Sequence, residues 1–245
     1  MIDLYYWPTP NGWKITILLE ECELPYEIKK VHIGEGDQFK PEFLAISPNN
    51  KMPAIVDHDA DGGSLKIFES GAILMYLAEK TGRFMPADGA ARWDVIQWVF
   101  WQMANLGPMA GQLGHFLNYA EEKLEYPIGR YQAEYNRILG VLDRQLAERD
   151  FIAGDYSIAD MASWPWVRSH ERLDQPLDEF PHLSRWFDEV GERPAVKRGF
   201  DIGTDWWQRS DVQQEDTRKN LFGHTAKDVA ELASLAAKAA GDAED

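Results

Sequence analysis

The chain has 245 residues, is 44 % hydrophobic and 12 % aromatic with 10 Trp, and carries a formal net charge of −16. Such a composition excludes a disordered chain and supplies a sizeable core for one large or two small domains, while the acidity repels phosphate backbones and excludes nucleic acid as a partner. Cys22 is the single cysteine, so neither an internal disulfide nor a Cys-x-x-C redox pair can form.

Residues 2–7 alternate and predict a strand, 8–12 a turn, and 13–22 a helix with Ile15, Leu18, Leu19 and Cys22 on one face. A second strand is expected over 26–33, with its alternation slipping near Lys30, and a short helix over 40–46 with Pro41 near its start. Two short strands follow at 54–56 and 65–68, then a helix that opens at Ser70 and ends at Gly82. The order βαβ-αββα predicts an N-terminal thioredoxin-like domain over 1–83. Residues 84–90 read as a linker, and 91–207 as an all-helical C-terminal domain, giving an α/β plus all-α fold class. Residues 92–119 form a long apolar segment that Gly107-Pro108 should kink. Residues 127–148 and 181–193 carry apolar stripes: Ile138, Leu139, Leu142 and Leu146 in the first, Leu183, Trp186, Phe187 and Val190 in the second. Ser157-Ile158-Ala159-Asp160 has the spacing of a capping box, flanked by Tyr156 and Met161 as a hydrophobic staple, and Pro194 starts a further short helix. Residues 208–245 form a polar tail with a C-terminal helix over 225–240. The residues leave open whether it packs on the body, packs on a partner subunit, or frays. The N-terminus lacks a basic segment followed by an apolar run, and no apolar run reaches membrane-spanning length. A cytoplasmic protein with no membrane partner is expected.

The functional signal lies between Ser47 and Leu77. Proline has no backbone N–H, so Pro53 cannot sit in mid-ladder. It is expected to close a turn through a cis bond, leaving the N–H and C=O of Met52 to pair with an extended peptide. Glu69-Ser70-Gly71 opens a helix with Ser70 as N-cap, and a helix N-terminus receives a carboxylate. With Pro8-Thr9-Pro10-Asn11-Gly12, Ser47-Pro48-Asn49-Asn50-Lys51-Met52-Pro53, Phe68-Glu69-Ser70-Gly71 and Gly107-Pro108-Met109 in this order, the chain resembles the glutathione S-transferases over nearly its whole length. The likeness is nearest to the bacterial nu class.

That resemblance implies glutathione as co-substrate, no metal, and a homodimer. A free thiol of pKa about 8.5 is only roughly 3 % ionised at pH 7, and lowering it by about two units takes about 2.7 kcal/mol of preferential anion stabilisation. The resemblance implies that the Thr9 hydroxyl and the Asn11 amide, with nearby backbone N–H groups, face the sulfur. Taken without it, the same residues read as a turn with Asn11 as a helix cap. It further implies Ser70 on the γ-glutamyl carboxylate, Glu69 on the ammonium, and Met52 main chain on the cysteinyl unit with Pro53 setting the geometry. By the same resemblance Lys51 and Gln38 are expected to reach the glycyl carboxylate, and Gln102 and Arg130 to lie near the thiol, in part across the dimer interface. Lys51 and Gln38 equally suit a solvated loop, and Glu69 a first-turn acid on the helix dipole. Trp98, Trp101, Phe116 and Tyr119 read as core more than pocket, Trp164-Pro165-Trp166 as packing at a bend, and Cys22 as a small core residue. His58, His115 and His170 lack metal-ligand spacing, though His115 stays a candidate for the helical-domain cleft.

Three functions compete. The first is reduction of disulfides by bound glutathione without an enzyme cysteine, with low peroxidase and weak conjugating activity. The second is attack of glutathione on carbon or on a thioether, such as cleavage of lignin-derived aryl ethers, which the Trp and Phe content would suit. The third is a non-catalytic ligand carrier or scaffold on the same fold.

Overall fold

Four strands, β1 (Ile2–Tyr6), β2 (Tyr26–Lys30), β3 (Ala54–Ala60) and β4 (Gly63–Phe68), form a mixed sheet in the order β2-β1-β3-β4. β1 runs parallel to β2 and antiparallel to β3, and β3 is antiparallel to β4. The computed structural model describes residues 1–206 and 215–241 (the side chains of 233 and 235–241 apart). The chain divides into two compact units, one of residues 1–12, 25–73 and 203–245, the other of 13–24 and 74–202.

In the first unit, β1 shows the alternation read from its sequence: Ile2, Leu4 and Tyr6 are buried, Asp3 and Tyr5 half-buried. Val31, Phe43, Ile46, Ala54 and Val56 form an apolar cluster against which Tyr5, Ile33 and Met52 pack. β2 stops at Lys30 rather than 33. Val31 N–H still reaches Tyr6 C=O at 3.0 Å, and the chain then turns into a 3-10 turn, Asp37–Phe39, and the short helix α2 (Pro41–Leu44). β3 and β4 run longer than expected, their hairpin closing at Ala60 opposite Gly63, where Gly62 and Gly63 take the positive φ that the turn needs.

Helix α1 (Pro10–Cys22) begins three residues before its expected start. The Thr9 hydroxyl accepts the Gly12 N–H at 3.3 Å and so caps the helix, and Pro10 takes the first helical position, where its missing N–H costs nothing. Asn11, weighed from sequence as a cap, lies inside the first turn. Helix α3 (Ser70–Thr81) is followed by Gly82 at φ 65°, the stop signal read from sequence.

The second unit is helical: α4 (Gly89–Trp101), α5 (Gly107–Gly114), α6 (Glu125–Gln145), α7 (Ile158–Val167), α8 (Pro181–Gly191) and α9 (Pro194–Asp201). The kink expected at Gly107-Pro108 takes the form of a wide turn, Gln102–Leu106, in which Gly107 N–H bonds five residues back to Gln102 C=O. Tyr135, Ile138, Leu139 and Leu142 of α6 are buried together with Leu183, Trp186 and Val190 of α8. The capping box at Ser157 and Asp160 is present and starts α7. Cys22 is half-buried rather than core, its Sγ 3.7 Å from Thr81 Oγ1, and burial pushes its thiol up. Trp98, Trp101, Phe116 and Tyr119 are also half-buried, so none belongs to the core to which the sequence reading leaned.

The first unit is completed by α10 (Glu215–Phe222) and α11 (Ala226–Gly241). The sequence reading left the α10 region as a polar stretch. α11 starts from Thr225, whose N–H and hydroxyl both bond Asp228 Oδ2, at 2.7 and 2.6 Å.

Candidate active site

Sheet register decides which loops meet. Tyr5 of β1 pairs with Ala54, the first residue of β3, and Ala54 pairs with Phe68, the last of β4. Tyr6 pairs with Lys30 at the end of β2. Four segments therefore leave the sheet at one end: Trp7 to Gly12, the loop carrying Gln38, Lys51 to Pro53, and Glu69 to Ser70. Eight of the ten sequence-predicted site residues fall on these segments, all in the first unit.

The Thr9 hydroxyl donates to Met52 Sδ at 3.4 Å while accepting from Gly12. A thioether is a weak acceptor, so this hydroxyl is already aimed at sulfur and would move to a better acceptor offered beside it. It stands at the N-terminus of α1, where first-turn N–H groups favour an anion. Asn11 is half-buried in that turn. Close approach holds this corner together: a Cβ on Gly12 would lie 2.4 Å from Trp7 O, 2.7 Å from Tyr6 Cε2 and 3.0 Å from Met52 Cε. The backbone oxygen cannot swing away, so Gly12→Ala should lower stability by about 2–4 kcal/mol. Urea unfolding checks this, and an unchanged midpoint would contradict it.

The Met52–Pro53 peptide bond is cis. Among the described residues, no hydrogen bond reaches the main-chain N–H or C=O of Met52, although the strand begins two residues later. The turn before it is closed by the Ser47 hydroxyl on Lys51 C=O at 2.8 Å. Lys51 reaches solvent, yet partial loss of water around its ammonium brings its pKa below the usual lysine value; a bound anion would oppose that shift.

Glu69 is exposed and held at φ 70°, in the left-handed region. Its C=O accepts Ile73 N–H at 2.9 Å, which makes Glu69 the residue that caps α3 through its backbone, and Ser70 the first helical residue. The sequence predicts Ser70 as cap; the left-handed backbone at Glu69 shifts that role by one. Ser70 is 3 % exposed.

Gln38 is buried, and its amide donates to Ile33 C=O and Asn220 C=O, both at 3.1 Å. Its Oε1 has no hydrogen-bond partner among the described residues.

The remaining two candidates belong to the helical unit. Gln102 is fully buried and its Oε1 accepts from the buried Lys14 ammonium at 2.6 Å, while its Nε2 has no partner among the described residues. Lys14 escaped the sequence reading; its signal was a lysine among the apolar residues of α1. Arg130 is exposed on α6, 3.6 Å from Glu134. Among the described residues, no group of His, Cys, Asp and Glu has the geometry to hold a metal ion, and no helix is long and apolar enough to cross a membrane. A cavity of about 690 Å³ in the helical unit, lined by His170, Asp174 and Phe187 among others, contains none of the candidate residues.

Two family models match the chain: the glutathione S-transferase N-terminal domain over residues 1–79, and the glutathione S-transferase C-terminal domain over residues 112–194. The disulfide-bond oxidoreductase YfcG of Escherichia coli (strain K12) is 52 % identical over 199 residues, covering 80 % of this chain and 93 % of the relative. A glutathione transferase from Pseudomonas putida, solved with one glutathione disulfide bound per subunit, superposes with a TM-score of 0.79 at 46 % identity, covering 82 % of this chain and 91 % of that one. Another from Burkholderia graminis, with two glutathione molecules per subunit, gives 0.79 at 48 % identity, covering 83 % and 88 %.

Proposed function

The chain belongs to the glutathione S-transferase family, and on that premise we propose that it binds glutathione at the end of the sheet where β1 finishes and uses its thiolate to reduce small disulfides. The observation that carries this reading is the main chain of Met52, unpaired among the described residues, beside a Thr9 hydroxyl already donating to sulfur. An extended cysteinyl unit pairing with Met52 sets its side chain next to Thr9. The α3 N-terminus at Ser70 receives the γ-glutamyl carboxylate and Glu69 the ammonium, while Lys51 meets the glycyl carboxylate. The left-handed backbone at Glu69 supports a functional role, since such strain persists where surrounding structure enforces it.

In the reaction, the thiolate attacks one sulfur of the substrate disulfide, forming a mixed disulfide and expelling the other sulfur as thiolate, which takes a proton. A second glutathione thiolate attacks the glutathione sulfur of the mixed disulfide, yielding glutathione disulfide and the second substrate thiol. Two electrons pass from two glutathiones to the substrate. No enzyme thiol enters; the half-buried Cys22, with its pKa raised, suits that bystander role. The resemblance to relatives solved with glutathione and with glutathione disulfide supports the same chemistry.

The test is turnover of 2-hydroxyethyl disulfide with glutathione, coupled to glutathione reductase. Rate above the uncatalysed reaction is expected. A background rate, together with glutathionyl thioethers formed from aryl substrates, would move the reading to carbon chemistry. Absence of glutathione binding at millimolar concentration would move it to a carrier or scaffold.

Gln102 and Arg130 are assigned to the surroundings of the thiol, Arg130 acting across a homodimer interface. Support comes from the Nε2 of Gln102, buried and without a partner among the described residues, and the exposed guanidinium of Arg130. Exposed apolar side chains on each unit, Leu65 and Phe68 of β4 and Trp93 and Phe100 of α4, support self-association. Arg130→Ala should raise the KM for glutathione about three- to tenfold, the loss of one charge-assisted hydrogen bond. Unchanged kinetics with a monomeric wild type in sedimentation would remove the Arg130 role and the homodimer.

A further inference from the structure

The loop that carries Gln38 is held from outside the matched family domains, which end at residue 194. In α10, Asn220 Nδ2 donates to Gly34 C=O at 2.8 Å, and Asn220 C=O accepts from Gln38 Nε2. Carbonyls in the last turn of a helix have no intrahelical partner, so the Gln38 amide acts as a C-cap for α10 while tying it to Ile33. The His224 ring meets Phe39 edge-on with centroids 4.6 Å apart, and α11 lies against α2 and the 3-10 turn. Gly36 sits at φ 86° with Asn220 Oδ1 3.4 Å from where a Cβ would be, so the two segments touch closely. Both N–H groups of Gln38 are thus spent on main-chain carbonyls, one of them the tail's.

We propose that α10 is a strap that fixes the 33–39 loop in its binding conformation, with Asn220 a positioning residue for the glycyl end of glutathione, acting through Gly34 and Gln38. This rests on the reading of the site given above. Gln38 holds the loop through the same amide, which joins Ile33 C=O to Asn220 C=O. A loop ordered before binding loses less conformational freedom when the tripeptide arrives, so the strap tightens binding without entering the chemistry.

The experiment compares full-length wild type, Asn220→Ala and Lys219→Ala, the last an exposed neighbour on the same helix. Calorimetry with glutathione gives Kd, the coupled disulfide assay gives KM and kcat, and urea unfolding reports the fold. For Asn220→Ala, Kd and the KM for glutathione should rise about three- to tenfold, with kcat within about twofold of wild type and the urea midpoint unmoved. Lys219→Ala should match wild type throughout. If wild type binds glutathione and Asn220→Ala binds it equally well or more tightly, the strap is overturned while the site stands. If the Ala variant loses kcat and Kd is unmoved, the positioning role is likewise overturned. If wild type itself binds no glutathione at millimolar concentration, the site reading fails, and the strap with it.

Discussion

Asn11→Ala is expected to cut glutathione-dependent disulfide turnover about 10- to 100-fold at neutral pH, and the deficit should shrink as the pH is raised toward that of a free thiol. The family resemblance implies that the Asn11 amide donates to the sulfur, and a hydrogen bond to a charged acceptor contributes about 1.5–3 kcal/mol, equivalent to roughly one to two pKa units. With the thiol mostly protonated, turnover follows the thiolate fraction; once the pH exceeds the raised pKa, both proteins carry the same nucleophile. Thr9→Ala should show a similar deficit, but it also removes the α1 cap at Gly12 and so adds a stability loss of about 0.5–2 kcal/mol. Asn11 is the cleaner probe because it does not supply that cap. Steady-state rates of wild type and Asn11→Ala across pH check the prediction; a deficit that persists undiminished at high pH would show that Asn11 acts on something other than ionisation.

The second large effect concerns the fold. Asp160 is fully buried, and its carboxyl accepts four hydrogen bonds: from Ile152 N–H at 3.0 Å and Trp186 Nε1–H at 2.8 Å on Oδ1, and from Ser157 N–H at 2.9 Å and the Ser157 hydroxyl at 3.2 Å on Oδ2. Asp160→Ala strands these donors in the interior and should cost about 3–5 kcal/mol. The carboxyl also makes stability depend on pH. Burial pushes it up to about 6, outweighing the four donors, which pull it down. An unfolded aspartate titrates near about 3.9, so between these values the native state holds the proton and the unfolded state does not. The contribution is therefore full below about pH 4 and lost as the pH rises through about 6, a change of about 3 kcal/mol. Asp160→Asn carries no ionisable group there. The stability gap, wild type minus Asp160→Asn, should shrink over that window in urea titrations. A gap that widens with pH would mean that the four donors outweigh burial.

Local chemistry made part of this molecule legible. The capping box at Ser157 and Asp160 sits within four residues, and the Met52-Pro53 step and the Glu69-Ser70 helix opening each declare themselves through one or two residue types. The apolar stripes of α6 and α8 follow the helical period. What escaped depends on partners distant in sequence or on competition between local signals. Pro8-Thr9-Pro10-Asn11-Gly12 has the composition of a turn, and only the Thr9 hydroxyl on Gly12 N–H shows that the helix already starts there. The left-handed backbone of Glu69, an unusual conformation for a residue with a side chain, displaced Ser70 from the cap. α10 is polar up to its last two residues, Leu221 and Phe222, and carries no apolar stripe to announce it. Its bond from Asn220 to Gly34 spans 186 positions in sequence, beyond any local pattern. The buried Lys14 likewise makes sense only once Gln102 stands beside it. Family resemblance supplied the roles of the site residues, and sheet register explains why eight of them lie on segments that leave the sheet at one end.

The proposed chemistry depends on the ionisation of a single sulfur. Ultraviolet titration of the thiolate of glutathione bound to the protein, with free glutathione in the same buffer as reference, measures it directly. The bound thiol should ionise about two pH units below the free one, at about 6.5. A bound thiol that titrates together with the free one would contradict it.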